Sequence, residues 1–215
     1  LFALCLLTCV RPAIAQELEK QQRILILLDG SSSMLQPWTG SDNRFQTAAK
    51  IITTLIDSVY KVNDQVEFGL RVYGHQHPAQ DNNCFDSKRE VMFSKSNLTQ
   101  MSLRLESLKP AGVSPIAYSL KEAVLNDMTD NLRYNYSVIL VTDGGESCNG
   151  NICEVMKMLV DNKINFRPYI VSLVNLPTLK EQYDCMGTYL LVVKPNEIPV
   201  AVNKIVDAYR PILTM

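Results

Sequence analysis

Apolar positions along the 215-residue chain fall into two alternating kinds of segment. Short runs rich in β-branched residues and leucine occupy 24–28, 66–73, 136–142, 169–174 and 189–193, and each reads as a strand. The runs at 24–28, 136–142 and 189–193 are apolar for most of their length, as in strands covered on both faces. A shorter run at 91–93 is expected as an antiparallel edge strand. Between the strands, Phe45, Ala48, Ala49, Ile52, Leu55, Ile56 and Val59 recur at helical spacing behind Ser41 or Asp42 as cap. Further helices are expected at 115–127, with Ser114 as cap and Pro115 in the first turn, and at 152–161, 178–183 and 197–209. This alternation predicts an α/β fold: a doubly wound, mostly parallel six-stranded sheet with helices on both faces.

The N-terminus breaks the pattern. Residues 1–10 are almost wholly apolar and are followed by Ala13-Ile14-Ala15, a small-x-small cleavage signature, so 1–15 reads as a signal peptide. It has neither initiator Met nor basic flank, as expected of a sequence starting inside a longer reading frame. The stretch is shorter than the roughly 20 residues needed to span a bilayer, and Arg11-Pro12 interrupts it. Cys9 within Leu6-Leu7-Thr8-Cys9 offers a lipid anchor as a minor alternative. Residues 16–22 then form a short linker and 23–215 a single domain. The loop 74–89 is the longest stretch without predicted structure and carries both histidines.

Composition narrows the function classes. The chain is 47% hydrophobic and 20% charged, with 21 Lys+Arg against 22 Asp+Glu, a formal net charge of -1. That balance gives no footprint for nucleic acid or for insertion into an anionic membrane after signal cleavage. The expected compartment is outside the cytoplasm, periplasmic or extracellular. Cys84, Cys148, Cys153 and Cys185 remain after the leader, an even number suited to disulfides in an exported protein. The short polar segment Asn149-Gly150-Asn151 favours pairing Cys148 with Cys153. Cys84 and Cys185 are then left either to pair or to stay as buried thiols.

Chemistry concentrates at strand ends. Ile24-Leu25-Ile26-Leu27-Leu28 runs straight into Asp29-Gly30-Ser31-Ser32-Ser33, placing a carboxylate and hydroxyls at alternate positions of a turning loop. Ser137-Val138-Ile139-Leu140-Val141-Thr142 likewise runs into Asp143-Gly144-Gly145-Glu146. In a sheet of order 3-2-1-4-5-6 these two strands are neighbours at the topological switch point, where ligands bind. Pro110-Ala111-Gly112-Val113-Ser114-Pro115 brings one more hydroxyl to a helix start. Two carboxylates with hydroxyls suit a hard divalent cation such as Mg²⁺, with Mn²⁺ or Ca²⁺ as alternatives. Taken singly, each element is ordinary turn or capping chemistry. His75 and His77 with Cys84 would suit zinc, but no complete tetrahedral set accompanies them. Glu146 reads as an outer acceptor or as an acid leading a helix, and Trp38 as a loop-packing residue or an exposed contact.

On these residues the sequence resembles the von Willebrand factor A domain family, whose metal-ion-dependent adhesion site has the pattern Asp-x-Ser-x-Ser, a later Thr and a later Asp. The match runs from Arg23 to the last helix. The resemblance implies a Rossmann-like fold in which Ser31 and Ser33 bind the metal directly, and Asp29 and Asp143 directly or through water. Ser114 takes the place of the Thr, keeping the oxygen but losing a methyl that restricts its rotamers. The segment from Thr142 to Cys148, with Cys153 following, looks like the corresponding loop of secreted bacterial members.

The implied function is a divalent-metal-dependent protein-binding module, with an acidic residue of a protein partner completing the coordination. A metal-dependent hydrolase using Asp29 or a loop serine is the competing class. However, Gly30-Ser31-Ser32-Ser33-Met34 lacks the second Gly of a nucleophile elbow, and no phosphate-cradling Gly-rich loop is present. A third reading gives the metal a purely structural role.

Overall fold

The computed structural model describes residues 20–161 and 168–213. The expected signal peptide and Cys9 lie outside the described residues. Six strands form one sheet: β1 (Gln21–Asp29), β2 (Glu67–Tyr73), β3 (Ser87–Ser94), β4 (Tyr134–Thr142), β5 (Tyr169–Ser172) and β6 (Thr188–Leu191). Their order is β3-β2-β1-β4-β5-β6. All pairings are parallel except β2 with β3. The helices are α1 (Arg44–Tyr60), α2 (Leu98–Ser107), α3 (Ile116–Asn126), α4 (Ile152–Asp161), α5 (Pro177–Gln182) and α6 (Ile198–Leu213).

β1 is the centre of the molecule because both of its faces are covered. Ile24, Ile26 and Leu28 pack into one layer with α1, α2 and α6, and Leu25 and Leu27 into the other with α3, α4 and α5. All five are at most 2% exposed, and each such burial contributes about 1.5–3 kcal/mol. Alternate side chains therefore serve opposite cores, which is why the strand is apolar throughout.

Three local expectations change. The cap of α1 is Asn43 rather than Ser41 or Asp42: its Oδ1 accepts from the Gln46 N–H at 2.8 Å, and Gln46 Oε1 accepts from the Asn43 N–H at 2.9 Å. This reciprocal box satisfies two groups at once, whereas Asp42 is engaged by Lys50. α3 begins at Ile116 without a side-chain cap from its preceding residue, and the Ser114 N–H instead donates to Ser147 Oγ at 2.7 Å. α2 was not foreseen, since only Met101 and Leu105 of its ten residues are buried and its apolar stripe is narrow.

The cysteine pairing is also corrected. Cys84 bonds Cys148 and Cys153 bonds Cys185, each pair with Cα atoms 5.6 Å apart. Cys153 lies in the first turn of α4, so the helix carries it away from Cys148 and toward the segment after α5. No free thiol is left among these four. The first bridge ties the 74–86 loop to the segment that follows β4. That loop contains a single 3-10 turn, Ala79–Asp81, before the chain enters β3.

One buried ion pair braces the edge of the sheet. Arg71 of β2, 4% exposed, donates from Nε to Asp127 Oδ2 at 2.6 Å and from Nη2 to Oδ1 at 3.0 Å. Arg89 of β3 adds a contact at 3.2 Å. Asp127→Ala leaves Arg71 buried without its counter-charge and is expected to lower unfolding free energy by about 3–5 kcal/mol. Urea titration checks this; a loss below about 1 kcal/mol, the value of a surface pair, contradicts the assignment.

Candidate functional site

The parallel register puts the C-terminal ends of β1 and β4 side by side, with Leu28 opposite Val141. Asp29, the last residue of β1, is fully buried. Its Oδ1 accepts from the Ser31 N–H at 2.8 Å and its Oδ2 from Thr142 Oγ1 at 2.6 Å. The loop then turns into a short 3-10 segment, Ser32–Leu35. Gly30 is required at the turn, because a Cβ there would lie 2.7 Å from the Tyr73 carbonyl oxygen and 2.8 Å from His75 Cβ.

The hydroxyls converge on the second carboxylate. Ser31 Oγ and Ser33 Oγ are 2.9 Å apart, and Ser33 Oγ donates to Asp143 Oδ1 at 2.7 Å. Asp143 follows β4 directly and is buried. Its other oxygen, Oδ2, accepts from Arg44 Nη1 at 2.6 Å. Ser114 reaches the same region on its own loop, held there by backbone bonds: Ser32 N–H to Gly112 O and Ala111 N–H to Gly30 O, both 2.9 Å. Among the described residues, no hydrogen bond joins the Ser114 hydroxyl to the other four side chains. The Ser31, Ser33 and Asp143 side chains are thus joined in one hydrogen-bonded chain, Asp29 meets it through the Ser31 N–H, and the loop that carries Ser114 is bonded to the same turn.

Electrostatics sets the character of the cluster. Burial, reinforced by the neighbouring Asp143 charge, pushes the Asp29 carboxyl up to about 6, against the hydrogen bonds from Ser31 and Thr142 that favour its ionised form. Both carboxylates are buried, and among the described residues only Asp143 has a cationic partner. All the donors are oxygen, and the surplus negative charge is what a hard divalent ion relieves. Among the described residues, no three or more His, Cys, Asp or Glu gather to hold a metal, so a ligand set at this cluster would need its hydroxyls.

The alternative histidine site is not built. Cys84 is consumed by its disulfide, and His77 is exposed. The His75 side chain is buried, with Nε2 2.8 Å from Glu90 Oε1 and Nδ1 4.0 Å from Asp86 Oδ1. Glu146 is an acceptor, but toward backbone: Oε2 takes the Ala117 N–H in the first turn of α3 and Oε1 the Cys148 N–H, both at 2.7 Å. Trp38 packs on the core and donates from Nε1 to the Leu173 carbonyl at 3.2 Å.

Sequence reading missed Thr142, Ser147 and Arg44. Thr142 immediately precedes Asp143, and a strand residue of opposite parity would have been worth testing as a partner of Asp29. Arg44 carries a local signal as well. A cation at the first position of a helix opposes the helix dipole and calls for a nearby anion.

The von Willebrand factor type A domain family model matches residues 24–181. The chain belongs to this family. The VWA domain is 28% identical to YwmD of Bacillus subtilis over 162 residues, covering 70% of this chain and 68% of that protein. It is 26% identical to YwmC of the same organism over 162 residues, covering 71% and 70%. Among solved structures, it superposes on the pilus adhesin SpaC of Lactobacillus rhamnosus GG with TM-score 0.69 and 13% identity, covering 90% of this chain and 30% of that one. The mussel byssus proximal thread matrix protein 1, in a structure with a zinc-occupied MIDAS motif, gives TM-score 0.64 and 13% identity, with 89% and 46% covered. The chain therefore spans about half of the mussel protein and under a third of the adhesin. These likenesses show the fold.

The raised Asp29 has a pH consequence. A carboxyl whose folded value lies above its unfolded 3.8 adds stability that is complete below 3.8 and lost as pH rises through about 6. In excess chelator the VWA domain is expected to gain about 1 kcal/mol between pH 7 and pH 5 from this group. Urea unfolding at the two pH values, compared with Asp29→Asn, checks it; an equal slope in the variant contradicts the cause.

Proposed function

We propose that the VWA domain is an exported protein-binding module whose recognition site is a divalent cation held by Asp29, Ser31, Ser33, Ser114 and Asp143. Bound there, Mg²⁺ or a related hard ion would supply an electrophilic position for a carboxylate oxygen of the partner. Ser31 and Ser33 would be its direct ligands, and Asp29 and Asp143 would contribute directly or through water. The observation carrying this reading is the continuous chain Ser31–Ser33–Asp143, at 2.9 and 2.7 Å, beside the buried Asp29.

The chain's own groups orient that chemistry. Thr142 holds Asp29 from below, and Tyr73 in turn places its hydroxyl 3.3 Å from Thr142 Oγ1. The Ser33 hydroxyl donates to a carboxylate and His75 is engaged with Glu90, so among the described residues no serine–histidine hydrogen bond supports a nucleophilic reading of this site. Export is supported by the two disulfides, which persist in oxidising compartments. Among the described residues no helix is long and apolar enough to cross a membrane. The reading places the protein in the periplasm or outside the cell. The pilus adhesin and the metal-occupied mussel protein among its structural neighbours support an adhesion-type role.

Saturating Mg²⁺, about 100 times its dissociation constant, is expected to stabilise the purified domain by about 2.7 kcal/mol, and this gain disappears in Asp143→Ala. Capture of partner from the envelope fraction should be reversed by chelator. Capture that ignores both chelator and Asp143→Ala rejects the metal bridge.

A further inference from the structure

Among the described residues Arg44 is the one cationic side chain paired with an acid of the cluster, and it is present at a local disadvantage. It is the first residue of α1, where the helix dipole disfavours positive charge. The Asn43–Gln46 capping box fixes the helix start and so fixes where the guanidinium is delivered. Asp143, whose side chain is fully covered, offers Oδ1 to Ser33 and Oδ2 to Arg44, so both oxygens are engaged. The Arg44 side chain remains 24% exposed. Asp29, by contrast, is met by neutral groups of Ser31 and Thr142, with no cationic partner among the described residues.

We infer that Arg44 is an internal competitor of the divalent cation for Asp143 and sets the metal affinity of the site, an inference that rests on the metal reading above. The two carboxylates carry a charge of -2 and Arg44 returns +1, so an arriving divalent ion meets only half of the charge that its ligands could offer. A metal taking Asp143 directly must displace the guanidinium from Oδ2. A metal taking it through water must sit beside a fixed positive charge. Both routes weaken binding, and neither can be relieved by deprotonation, because arginine stays charged throughout the working pH range. Arg44 also keeps the site's charge balanced toward Asp143 while leaving Asp29 uncompensated, so metal gain is greatest at Asp29.

The test is calorimetric titration with Mg²⁺ alone of the disulfide-bonded protein and of Arg44→Gln, Arg44→Lys and Asp143→Asn, with thermal melts in chelator as the folding control. Arg44→Gln is expected to bind Mg²⁺ about tenfold more tightly than wild type, the scale of removing one like charge a few ångströms away across a partly screened path. Arg44→Lys should stay near wild type because the charge is kept, and Asp143→Asn should bind more weakly. Tighter binding by Arg44→Gln, or binding by Arg44→Gln when wild type shows none, supports the inference. Wild-type binding with equal or weaker binding by Arg44→Gln overturns it and leaves the metal reading standing. No binding by either protein overturns both. If Arg44→Gln fails to fold, Arg44→Met is read by the same criteria.

Discussion

Two carboxylates buried at the tips of adjacent central strands set the terms for the rest of the upper face of this molecule. Asp29 and Asp143 end β1 and β4, which are neighbours because the chain winds outward from β1 in both directions. Like charges without water raise each other's energy, and the structure answers with directed donors: a backbone N–H, the Thr142 and Ser33 hydroxyls and the Arg44 guanidinium. These donors order the loops that carry them. The site is thus an electrostatic problem that the fold has mostly, but not fully, neutralised.

Around that centre the loops are clamped rather than loosely draped. The 110–114 segment is stitched to Gly30 and Ser32 by backbone bonds and to Gly74 by the Ala111 and Gly112 N–H groups at 3.3 and 2.7 Å. Gly74 adopts φ +67 and presses against the Val113 carbonyl, a contact that no Cβ permits. The Cys84–Cys148 bridge joins the opposite flanks of this assembly. Cross-linking these loops removes chain entropy from the unfolded state and so favours the folded arrangement that frames the charged cluster.

Much of the fold was legible because the signals were local. A run such as Ile24–Leu28 announces a doubly covered strand by its composition, and the Phe45–Val59 stripe announces a helix by its period. Asp-x-Ser-x-Ser at one strand end and Thr-Asp-Gly at the other pointed to neighbouring strands, and the register brings them together. α2 escaped because two buried residues make too weak a stripe, and the α1 cap was misplaced because Ser41, Asp42 and Asn43 are all competent acceptors in isolation.

The order of polar and apolar residues was enough to specify most of the strands and the identity of the oxygen-bearing loops, since each depends on contacts within a few residues or on a periodic burial pattern, whereas the sheet order came from the general doubly wound arrangement. The cysteine partners, the Arg44–Asp143 pair, the Thr142–Asp29 bond and the reach of Glu146 to α3 were settled only when the chain closed. They join residues separated by up to 113 positions, and their partners are chosen by how loops from different crossovers meet above the sheet. Nothing in the neighbouring sequence encodes that meeting, because it is a property of the packed layers and of the charge they enclose.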